Sequence, residues 1–66
     1  MKAPLSASPV GDAIAGAVAR FGFSASARLD AELLMAHALG VSREAMLLGR
    51  MGEPTPAVFA DLVERR

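Results

Sequence analysis

The residues with the most chemical potential are Arg28, Asp30 and His37, all within one stretch at residues 26–40, SARLDAELLMAHALG. A carboxylate and an imidazole are the usual materials of acid–base catalysis, but they must come within hydrogen-bond reach of a shared proton. On a helix Asp30 and His37 share a face, yet two turns separate them by about 10 Å along the axis. His37 is the one histidine and there is no cysteine, so neither an imidazole cluster nor a thiolate metal site is available. The chain also lacks a G-x-G-x-x-G, a phosphate loop, an H-E-x-x-H and a nucleophile elbow. No catalytic, cofactor-binding or metal residue is therefore assigned. Arg28, Asp30 and His37 are read as structural polar groups. Asp30 suits the positive end of a helix dipole and can accept an ion pair from a neighbouring helix, with Arg20 as one candidate. Arg43 and Arg50 flank a short third helix and its loop, and are the candidate partner contacts.

The element that must position these groups is the stretch itself. Ser26 is a candidate N-cap, Gly40 a candidate left-handed stop, and strong helix formers fill the interval. At about 100° per residue, Leu29, Leu33 and Ala36 make one apolar stripe, while Ala31, Leu34, Met35 and Ala38 make a second. Two stripes predict a central helix with neighbours on both sides. Upstream, Ser8-Pro9 reads as cap and first helical residue, followed by Val10, Ile14, Ala17, Val18 and Phe21 on one face. Gly16 is a candidate close crossing, and Gly22 ends this helix so that Phe23 tucks into the core. Downstream, Ser42 caps a short helix with an apolar end at Met46, Leu47 and Leu48. Thr55-Pro56 then repeats the cap-and-proline signature, ahead of a last helix with Val58, Phe59, Leu62 and Val63 inward and an Asp61–Arg65 pair. Met35, Met46 and Met51 are read as core filler. The fold expected is all-α, a small bundle of four helices over residues 9–21, 27–39, 43–48 and 56–66, with room for one further short turn. Residues 1–7 are expected to form a flexible tail, and residues 8–66 one helical domain.

Composition narrows the function classes. The 66 residues carry seven basic and seven acidic side chains, which argues against a nucleic-acid partner, since that would call for a basic excess on one face. A helix-turn-helix around Gly40 is disfavoured for the same reason, and because its candidate recognition helix is short and apolar. No run approaches the ~20 apolar residues of a membrane span. Lys2 and the apolar stretch at residues 13–19 imitate a signal peptide only loosely, because Gly11 and Asp12 interrupt it. A cytoplasmic protein is expected. Tryptophan and tyrosine are absent, which removes two of the usual binding anchors. The residues alone describe a non-catalytic helical module, and a free-standing adaptor that binds a partner helix is one reading of it.

The string A-R-L-D-A-E-L-L-M-A-H-A-L-G at residues 27–40 resembles the N-terminal domain of the release factor glutamine methyltransferases, the HemK/PrmC family. Their pattern runs roughly S-P-R-x-D-A-E-x-L-L-x-H-x-x-G, and Ser26, Arg28, Asp30, Ala31, Glu32, Leu34, His37 and Gly40 match it. Ala27 stands where proline is usual, Met35 stands where leucine is common, and Arg65-Arg66 matches a closing arginine pair. The resemblance implies a small helical domain ahead of a Rossmann-like catalytic domain. The parent enzyme would transfer a methyl group from S-adenosylmethionine to the Gly-Gly-Gln glutamine of a peptide-chain release factor. The family's Asn-Pro-Pro-Tyr motif and glycine-rich cofactor loop are absent from these residues, so no cofactor is expected in this chain. Its implied partners are the release factor and the enzyme's own catalytic domain. A chain that stops on an uncapped helix fits a piece of something longer.

Overall fold

The computed structural model describes residues 8–66; the tail expected over residues 1–7 lies outside them. Four helices follow in order: α1 (Val10–Arg20), α2 (Ala25–Leu39), α3 (Arg43–Gly49) and α4 (Val58–Arg65). Among the described residues the regular structure is helical, apart from an isolated antiparallel bridge between Pro9 and Pro54. The all-α expectation holds.

The helix ends show how local signals were used. Ser24, not Ser26, caps α2, its side chain accepting the Ala27 N–H at 3.1 Å. Gly40 closes α2 at φ 74°, and the Val41 N–H reaches back to the Ala36 carbonyl at 3.1 Å, the long bond of a Schellman ending. At α3 Ser42 caps as expected, accepting from the Ala45 N–H at 3.1 Å.

The two proline signatures do something else. Pro9 itself is the N-cap of α1, with no side-chain cap. The first N–H groups of α1 are instead taken up by the α3–α4 loop, Val10 donating to the Glu53 carbonyl at 2.8 Å and Gly11 to the Met51 carbonyl at 2.9 Å. Orphan donors at a helix start need acceptors, and here another part of the fold supplies them. Ser8 contributes its carbonyl, which accepts both the Thr55 N–H at 2.9 Å and the Thr55 hydroxyl at 2.7 Å. With Thr55 spent there, α4 begins later than residue 56, after Ala57 and without a side-chain cap.

α1, α3 and α4 each pack on α2, so α2 is the central element. The core combines Val10, Ile14 and Ala17 of α1 with Ala31, Met35 and Ala36 of α2, Met46 of α3, and Phe59 and Val63 of α4. Met35 and Met46 fill it as expected, with Met51 packed at its edge. The expectation of two covered stripes fails on one side. Leu29 and Leu33 stay 44% and 49% exposed, while Ala27, Ala31, Met35, Glu32 and Ala36 are buried. The neighbours all meet α2 on one broad arc, and that arc includes a carboxylate in place of the two leucines.

Other expectations are corrected too. A Cβ added at Gly16 would meet nothing within 4 Å, so that glycine marks no close crossing. Leu47, Leu48 and Val58 face solvent, because Met46, Phe59 and Val63 already fill the short faces that α3 and α4 turn to α2. Asp61 and Arg65 form no ion pair among the described residues. No helix among the described residues is long and apolar enough to cross a membrane.

Candidate functional site

The polar groups of α2 sort into two clusters. The inner one centres on Glu32, the only buried charged side chain among the described residues, at 4% exposure. Its Oε2 accepts the Arg28 Nε at 2.8 Å, one turn back on the same helix. Its Oε1 accepts the Arg43 Nε at 2.7 Å, from the first residue of α3, whose Nη2 is ion-paired to the same oxygen at 2.7 Å. Burial pushes the Glu32 carboxyl up, but the hydrogen bonds and charges of Arg28 and Arg43 outweigh it and hold the group below its ordinary value of 4.5. This clip ties α3 to α2 with charge-assisted bonds of the strong kind. The arginine side chains keep 51% and 44% of their surface in solvent.

The outer cluster centres on Asp30. The residue that reaches it is Arg66, just past α4, with Nη2 at 2.6 Å and Nε at 3.3 Å from Oδ2. The same guanidinium lies 4.1 Å from the centre of the Phe21 ring, within cation–π range. Arg20, the candidate partner for Asp30, instead pairs with Glu64 at 3.5 Å. Arg66 thus pins the end of α4 to the start of α2 and the end of α1.

Of the two candidate partner contacts, Arg43 is engaged with Glu32, and Arg50 pairs with Glu53 at 3.1 Å across the α3–α4 loop. His37 is exposed near the end of α2. The described residues gather no group of three His, Cys, Asp or Glu side chains that could hold a metal. An open groove of about 370 Å³, lined among others by Asp12, Ala13, Phe59 and Ala60, runs between α1 and α4. A second of about 300 Å³ sits at Asp30, Leu33, Leu34 and Arg66.

Two features escaped the sequence reading. Glu32 falls between the two apolar stripes of α2, and that is the signal: a carboxylate flanked by core positions must be paired, and Arg28 at i−4 is within reach. The other is Phe23. It was expected in the core, yet it is 75% exposed and sits at φ 60°. α1 ends through Gly22 at φ 97°, and the Phe23 N–H closes on the Val18 carbonyl at 3.1 Å. That closure puts residue 23 in the left-handed region, which costs a side-chain-bearing residue about 1–2 kcal/mol and turns the ring outward.

This arrangement pins the start of α3 and the end of α4 to α2. No curated protein and no solved structure matches the chain. A family model described as the PrmC N-terminal domain matches residues 12–66, a span that takes in all of α2, α3 and α4 and most of α1. The chain belongs to the PrmC N-terminal domain family.

Proposed function

We propose that this chain is the substrate-recognition module of a protein methyltransferase, and that it orients a peptide-chain release factor for a catalytic domain on the same polypeptide. The family implies a methyltransferase parent. In that parent, S-adenosylmethionine would supply the methyl group and the side-chain amide nitrogen of the Gly-Gly-Gln glutamine would receive it. The catalytic and cofactor-binding residues would all belong to the other domain. The observation that carries this reading is the family match over residues 12–66, joined to a bundle in which Arg28, Glu32 and Arg43, and Asp30 with Arg66, hold helices together.

The contribution of such a module is geometric. A release factor is far larger than the side chain that is methylated, and a misplaced acceptor loses most of the rate. A module whose surface groups are already fixed loses little freedom when the partner arrives. Glu32 with its two arginines, and Arg66 on Asp30, do that fixing. The test compares the parent enzyme with and without residues 1–66, on intact release factor and on a short Gly-Gly-Gln peptide. Truncation is expected to lower methylation of the intact factor by at least tenfold, with little change on the peptide and none in cofactor affinity. Equal rates on the intact factor would reject the role.

A further inference from the structure

We propose that the release factor docks on the uncovered side of α2, laying an acidic side chain across Arg28 and Arg43 and apolar side chains on Leu29 and Leu33. The inference deepens the proposed function and rests on it. Every other ion pair among the described residues joins one arginine to one carboxylate: Arg20 to Glu64, Arg50 to Glu53, and Arg66 to Asp30. Glu32 takes two. One guanidinium neutralises it, and Arg43 is the one that crosses from α3. Arg28 shares α2 with Glu32 and so joins no two helices. The cluster carries one positive charge more than a structural pair requires.

The geometry turns that charge outward. Arg28 meets Glu32 through Nε, and Arg43 through Nε and Nη2, so the buried carboxylate takes the side edge of each guanidinium. A guanidinium is a rigid fork of five N–H donors. The Nη end of Arg28 and Nη1 of Arg43 are left over, on side chains about half in solvent. One incoming carboxylate would bring the cluster to neutrality. A nucleic acid would bring many charges to a chain whose formal net charge is zero, which is a poor match. Because Glu32 already holds both arginines, little side-chain freedom is lost when a partner arrives. The apolar part lies alongside. Leu29 is three residues before Glu32 and Leu33 is four beyond Leu29, so helical spacing sets the two leucines in a row beside the carboxylate. Both are about half exposed on the hub helix of the bundle. Surface charges set orientation more than affinity, and the leucine row supplies the area to be buried.

The chain and its variants Arg28→Lys and Leu33→Gln are titrated into intact release factor by calorimetry, and each is unfolded in urea. Arg28→Lys keeps a charge beside Glu32 but loses the flat Nη edge. Each variant is expected to weaken binding at least about fivefold, at a urea midpoint close to the native one. Unchanged affinity in either variant, or a loss of affinity matched by a lowered midpoint, would overturn the surface and leave the proposed function standing. A wild-type chain that does not bind release factor would remove both. Tighter binding to a short RNA than to release factor would assign the arginines to phosphate, and would overturn the inference. Hydroxyl-radical labelling of Leu29 and Leu33 in the parent enzyme separates the remaining occupant. Labelling is expected to fall only when release factor is added; protection without it would give this face to the catalytic half and overturn the inference as well.

Discussion

The inner and outer faces of α2 carry nearly the same residue types and behave in opposite ways. Met35 is buried, while Leu33, two residues earlier, is half in water. Glu32 is sealed under two arginines, while Asp30 shares one arginine at the surface. Residue type does not separate these pairs. The difference lies in whether a neighbouring helix covers the position, and the same side chain is worth several kcal/mol on one face and almost nothing on the other.

The largest expected effect comes from the buried apolar position. Met35→Ala should cost about 3–4 kcal/mol through lost transfer energy and a residual cavity. That is a large share of the total stability of so small a domain, and a collapse of the urea midpoint would show it. Next is the double variant Arg28→Met, Arg43→Met, which strands Glu32 in the interior. A loss of about 3 kcal/mol at pH 7 is expected, near the low end for a broken buried pair because the arginines are half solvated.

The pH dependence sharpens this second case. In the native chain the Glu32 carboxyl is held below 4.5, so its stabilising contribution is complete above that value. It is lost as the pH falls through the lowered native value. In the double variant burial acts alone and the sign reverses. Stability should then be regained as the pH is lowered, and urea midpoints measured from pH 7 to pH 4 should converge with those of the native chain. Parallel curves would show that Glu32 is not the group responsible.

On the outer face the effects shrink. Asp30→Asn should cost under about 1 kcal/mol, as for other partly exposed pairs. Its signature should be faster amide exchange in the last turn of α4, and added salt should mimic part of it. The smallest effect is expected for Leu33→Gln, within about 0.5 kcal/mol of the native chain. A loss of 2 kcal/mol or more there would mean that the face is covered in solution, and the contrast between the faces would fail.

The elements themselves were legible because the signals that make them are local. Apolar spacing and propensity announced the helix around Leu34 and Met35, Gly40 announced its left-handed stop, and Ser42 announced the start of α3. The helix starts that were misread involved two competing groups or a distant partner. Ser24 and Ser26 are both able caps, and the choice followed from how Gly22 and Phe23 end α1. Ser8 and Thr55 looked like two caps, but 47 residues apart they bond to each other. No local pattern encodes that contact.

Sequence by itself determined that this chain makes four helices, that α2 is their hub, and to which family it belongs. These follow from backbone periodicity, end chemistry and a short string of matched residues, none of which needs a partner in space. Tertiary structure alone decided which face of α2 is covered, which arginine meets Asp30, and that Phe23 points outward. The physical reason is that a helix presents all its faces equally until neighbours arrive, and their approach is set by packing contacts between residues far apart in the chain.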